Sequence, residues 1–64
     1  MTPNELEGFL KRHHLSNVQF AKSLGVTQMA VIHWLTGKRS ISLTVGRLCR
    51  LFDKRPELLN EFGS

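Results

Sequence analysis

The chain has 64 residues, with nine Lys or Arg against five Asp or Glu and a formal charge of +4. That length makes one domain with no room for a second, and so short a chain buries only about 60% of its unfolded surface, leaving its stability marginal without a partner. An apolar fraction of 41% is too high for simple disorder, no apolar run approaches the ~18 residues of a membrane span, and the lone Cys49 excludes an intramolecular disulfide and favours a reducing compartment.

Glu5 and Glu7 precede every basic residue, which is wrong for a secretory leader. Helix signals start at once. Thr2, Pro3 and Glu5 supply an N-cap, a proline at N1 and the N3 acid of a capping box. Leu6, Phe9 and Leu10 follow at helical spacing. Ser16 and Gln19 form a second capping box, with Phe20, Ala21 and Leu24 on one face. Gly25 ends that helix at the position needing a left-handed backbone. Thr27 caps a third helix, which runs through Val31 and Trp34 and stops at Gly37. Ser40 or Ser42 starts a fourth, with Leu43, Leu48, Leu51 and Phe52 as its apolar positions. Pro56 at N1 starts a fifth, carrying Leu58, Leu59 and Phe62. Gly63-Ser64 reads as a frayed tail or a cloning remnant. No stretch alternates as a strand does. The expected fold is all-α: a compact bundle of five short helices, each of about 7 to 12 residues, in a single domain over 1–64.

Charge is unevenly distributed. No acid lies between Glu7 and Asp53, whereas that stretch holds Lys11, Arg12, Lys22, Lys38, Arg39, Arg47 and Arg50. A basic middle between acidic ends suits a polyanion bound on one face; the alternative is a solvated surface that happens to be basic.

The middle of the chain is the informative part. Two short helices crossing steeply need a tight turn, and Gly25 supplies it. Ala21 is small enough for the close approach. Val26 in the turn, with Val31 and Trp34 beyond it, is expected to fill the space beneath. Gln28, Met29, Ile32, His33 and Thr36 then fall on another face of the third helix, free to enter a major groove.

Leu15, Phe20-Ala21, Leu24-Gly25-Val26, Thr27-Gln28, Val31, Trp34 and Gly37-Lys38 together resemble the helix-turn-helix of the Cro/repressor (Xre-type) regulators of phages and bacteria. The likeness is close over 15–37, with the helix-turn-helix itself at 16–37, and extends more loosely to about Leu59. It implies a lambda-repressor-like bundle whose third helix reads bases. By this resemblance Gln28, Met29, Ile32 and His33 contact bases. Glutamine can pair with adenine in a bidentate way, histidine can donate to guanine N7 or to a phosphate, Met29 meets a thymine methyl or only a sugar, and Ile32 suits a thymine methyl. Asn17, Thr27, Lys38, Arg39 and Ser40 match phosphate-contacting positions, Asn17 with the help of a helix N-terminus. Many relatives carry an acid where Leu35 stands, paired with an arginine on the first helix; a Leu10–Leu35 contact is expected in its place.

The resemblance implies a transcriptional regulator, a repressor binding a near-palindromic operator as a homodimer in the bacterial cytoplasm or a phage-infected cell. Its partner is double-stranded DNA, with no membrane and no small-molecule substrate. Leu58, Leu59 and Phe62 are the candidate dimer interface, unless they only cover the core. No enzyme is expected, and no cofactor or metal: His13, His14, His33 and Cys49 lack a metal-ligand spacing, and Cys49 sits among apolar neighbours as a small buried hydrophobe. The second function class is a helix-turn-helix module that binds protein, such as an antitoxin or an anti-repressor.

Overall fold

A computed structural model describes residues 1–62, with the Phe62 side chain and Gly63-Ser64 outside the described residues. Five helices follow in order: α1 (Pro3–Arg12), α2 (Asn17–Leu24), α3 (Gln28–Thr36), α4 (Leu43–Lys54) and α5 (Glu57–Phe62). The described residues contain no strand.

Local chemistry sets the ends of these helices. Both expected capping boxes are present. The Thr2 hydroxyl accepts from the Glu5 N–H at 3.2 Å, and the Glu5 carboxylate accepts from the Thr2 N–H at 2.8 Å. Ser16 and Gln19 repeat the exchange at 3.1 and 2.9 Å. Thr27 and Ser42 cap α3 and α4 through their hydroxyls, so Ser42 rather than Ser40 starts the fourth helix. Pro56 lies one residue ahead of α5, whose six residues are fewer than the spacing suggested.

The stops of α1 and α2 share one device. After α2 the Val26 N–H reaches back to the Ala21 carbonyl at 3.0 Å and the Gly25 N–H to Lys22 at 3.3 Å. That is a Schellman closure, and it places Gly25 in the left-handed region at φ +72°. The same closure ends α1, where the Leu15 N–H bonds to the Leu10 carbonyl at 2.9 Å and that of His14 to Lys11 at 3.2 Å. Here the left-handed residue is His14, at φ +54°. Histidine is tolerated there at a cost of roughly 1 kcal/mol relative to glycine. Leu15 then turns in against the core.

Among the described residues ten make the core: Leu6, Phe9, Leu10, Phe20, Ala21, Val31, Trp34, Val45, Cys49 and Phe52. Phe9 is its hub, its ring 5.7 Å from that of Phe20 and 6.5 Å from that of Phe52. Aromatic centroids at such spacings favour tilted packing, as found here. Leu35 packs half-buried against the same core that holds Leu10.

Three burial expectations need correction. Val26 does not lie beneath the turn; it is 37% exposed, because the closure that satisfies its N–H leaves its side chain at the surface. On α4, Leu43 is 71% and Leu51 41% exposed. The inward stripe is Val45, Cys49 and Phe52, at i, i+4 and i+7, with Leu48 half-buried beside it. Leu43 and Leu51 each stand two positions from a member of that stripe, about 200° away around the helix.

A polar tie joins α1 to α4. Arg12 Nη2 donates to Asp53 Oδ2 at 3.0 Å, and His13 Nε2 lies 2.8 Å from Asp53 Oδ1. The His13 ring also packs on Phe9, with centroids 4.5 Å apart. Desolvation pushes the Asp53 carboxyl up, but the hydrogen bonds from His13 and Arg12 outweigh it and hold it below the ordinary carboxylate range.

Candidate nucleic-acid interface

α3 divides cleanly into two sectors. At about 100° per residue, Ala30, Val31, Trp34 and Leu35 span one side of the helix and Gln28, Met29, Ile32, His33 and Thr36 the other. The structure buries the first set: Val31 and Trp34 belong to the core, and Ala30 and Leu35 pack on it. Of the second set, Gln28, Met29 and Thr36 are exposed, Met29 at 57%. Ile32 and His33 are half-buried rather than fully open; His33 stands at one edge of the sector, whereas Ile32 lies inside it.

Packing against α1 and α2 holds this face rigidly. Ala21 on α2 is buried in the core. Thr27 ties the first turn of α3 through the Ala30 N–H at 3.2 Å. Gln28 and Met29 therefore lead the helix from a fixed start. Their own N–H groups lie in the first turn, where no intrahelical partner exists.

The expected phosphate-contacting positions lie before and after α3 in the chain, with Asn17 half-buried. Asn17 opens α2 directly after its Ser16 cap. Gly37 ends α3 at φ +80°, and the Arg39 N–H reaches back 3.1 Å to the His33 carbonyl. That bond folds the loop carrying Lys38, Arg39 and Ser40 back onto the last turn of α3. All three side chains are exposed.

Ion pairing sorts the basic residues. Lys11 Nζ lies 3.2 Å from Glu7 Oε1, and Arg12 is committed to Asp53. Lys22, Lys38, Arg39, Arg47 and Arg50 form no ion pair among the described residues. Arg47 and Arg50 were visible in the sequence as part of the basic middle but had no role there. Their helical placement gives them one: with Met1, Glu5 and Leu43 they line a groove of about 480 Å³ between α1 and α4.

Two of the residues weighed for catalysis, His13 and Cys49, are otherwise engaged. His13 is tied to Asp53. Cys49 is fully buried, and desolvation, with the Asp53 charge second, pushes its thiol up to about 11. A thiol so placed is a packing group, not a nucleophile.

Comparison with known proteins agrees with this architecture. A helix-turn-helix family model matches residues 6–59, most of the chain. The chain belongs to the helix-turn-helix family of the Cro/Xre type. It is a DNA-binding helix-turn-helix regulator. No curated protein and no solved structure gives a significant match. No helix among the described residues is long and apolar enough to cross a membrane.

Proposed function

We propose that the protein is a transcriptional repressor that binds a near-palindromic operator as a homodimer, with α3 in the major groove. The observation that carries this is the division of α3. Its core-facing side is packed on the core, while Gln28 and Met29 stand exposed in the first turn, and the loop after α3 carries the exposed Lys38 and Arg39, which form no ion pair among the described residues. Gln28 reads adenine, Met29 and Ile32 meet thymine methyls, and His33 donates to a guanine or a phosphate. Asn17, Thr27, Lys38, Arg39 and Ser40 hold the backbone on either side and so set the register.

Dimer geometry fits the size of the molecule. Two bodies measuring 30 × 20 × 20 Å, paired about a two-fold axis, can set their α3 helices about 34 Å apart, one turn of duplex. Leu58 and Leu59 are half-buried on their own core, so each offers a second copy only its remaining surface. The third residue of that candidate interface, Phe62, has its side chain outside the described residues.

The exposed Met29 favours the second reading, a surface that docks protein rather than bases. Selection of bound duplexes from a random pool separates the two. The DNA reading predicts a recovered two-fold site; Gln28→Ala relaxes preference at one base position, and Lys38→Ala with Arg39→Ala weakens every sequence alike. Recovery of no preferred site, with duplex binding indifferent to those changes, would contradict it.

A further inference from the structure

The α1–α4 groove is not part of the α3 face, yet it connects with its flank. Met1 lines this groove and also a smaller one of about 280 Å³ bordered by Gly37, Arg39, Ser40 and Ile41. A continuous surface therefore runs from the loop after α3, past Met1, to Arg47 and Arg50 on α4. Gly46 stands at the groove without a side chain, and a Cβ there would make ordinary van der Waals contact with that of Met1, at 3.5 Å.

Charge along this surface is net positive: with Arg12 balanced by Asp53, Arg47 and Arg50 outnumber the one other acid, Glu5. Asp53 is held by Arg12 and His13. Glu5 is turned to the Thr2 cap, whose backbone and side-chain hydrogen bonds hold its carboxyl below the ordinary value, with Arg50 a lesser influence. Arg47 and Arg50 are exposed and have no ion pair among the described residues. They stand three residues apart, on nearly the same side of α4.

We propose that Arg47 and Arg50 form a second phosphate-binding segment, which carries the DNA backbone from the loop at Arg39 along α4 and lengthens the footprint beyond the bases that α3 reads. The proposal rests on the DNA reading above. From Ser42 to Arg50 the helix rises about 12 Å, which corresponds to about four base pairs of duplex. A phosphate backbone is the occupant that the chemistry favours, because two arginines one turn apart can each grip a phosphate through paired N–H donors.

The test uses the duplex recovered by selection, either trimmed to the bases that α3 reads or extended by about four base pairs at each end. Wild-type protein should bind the extended duplex more tightly. Arg47→Ala with Arg50→Ala should erase that gain, lowering affinity for the extended duplex roughly tenfold or more at ~0.1 M salt and its salt slope by about 0.9 per lost contact, and should leave the trimmed duplex unaffected. Glu5→Gln keeps the capping box and should strengthen the extended complex. Both arginines are exposed, so a circular-dichroism melt matching wild type is expected and shows that the variants fold.

Equal binding of the extended duplex by wild type and the Arg47/Arg50 variant overturns the proposal. If the Lys38/Arg39 variant still loses affinity, the α3 reading survives that result. If it does not, the DNA reading falls as well. Loss of polyglutamate binding in the Arg47/Arg50 variant, with extended-duplex binding intact, would assign the groove to an acidic protein segment and also overturn it.

Discussion

The α2–α3 unit and α4 are both helical and both half-buried, but they are specified differently. In α2–α3 every boundary carries its own local signal: the Ser16 box, the Gly25 closure, the Thr27 cap and Gly37. Few internal positions are then needed to fix the crossing. α4 has a cap at Ser42, and after that its orientation depends on distant contacts: Val45, Cys49 and Phe52 inward, and Asp53 tied to α1. The unit that presents the reading face is built from short-range rules. The helix that carries the basic groove is placed by long-range ones.

Stability measurements can sharpen that contrast. Phe20→Ala removes a fully buried ring from the α2–α3 side and should cost about 3–5 kcal/mol, enough to unfold a domain of this size at ambient temperature. Leu43→Ala on α4 should change stability by no more than about 0.5 kcal/mol, because that leucine is 71% exposed. A denaturant titration of both variants checks the pair. A large loss from Leu43→Ala would show that α4 packs by a different face.

Backbone effects come next in size. Gly25→Ala should cost about 1–2 kcal/mol, because φ is +72° although nothing lies within 4 Å to clash with the new methyl. His14→Gly should act oppositely, raising the thermal midpoint by the equivalent of about 0.5 kcal/mol, since it relieves a left-handed histidine at the price of a more flexible unfolded chain. If both changes destabilised equally, the Schellman closure of α1 would not be under strain.

The tie between α1 and α4 is weaker still. Asp53 has a depressed carboxyl pKa in the folded chain, so its contribution is present above the unfolded value of about 4 and is lost as pH falls through the lower folded value. Solvent screens so exposed a pair, and Asp53→Asn should cost about 0.5 kcal/mol near neutral pH. Melts of wild type and variant should converge as pH drops below about 4. A constant gap down to pH 2 would remove Asp53 from the acid response. Cys49 should resist a thiol reagent in the native protein and react on unfolding, as expected of a buried thiol pushed up to about 11.

These differences explain what the sequence made legible. Caps, stops and the sector of α3 depend on residues within a few positions of each other, and they read directly. The exposure of Leu43 and Leu51 depends on which way neighbouring helices lie, and that of Val26 on the closure at Gly25, so apolar identity alone misplaced them. The Arg12–Asp53 tie spans 41 positions and left no local trace. The left-handed turn at His14 was hidden because histidine carries no such signal, whereas Gly25 and Gly37 announced theirs. The reading positions Gln28, Met29, Ile32 and His33 came from resemblance, and their share of the open face was legible from helical periodicity. The groove at Arg47 and Arg50 needed the fold, since it requires α1 beside α4.

The central claim is that α3 reads bases while its flanks hold phosphates. Duplex selection from a random pool, run in parallel on wild type, Gln28→Ala and the Lys38→Ala/Arg39→Ala pair, tests it most directly. The account predicts a two-fold site whose preference relaxes at one position per half-site in the first variant, and an unchanged site bound more weakly, with a shallower salt slope, in the second. A site unaltered in both sequence and affinity by either change would contradict it.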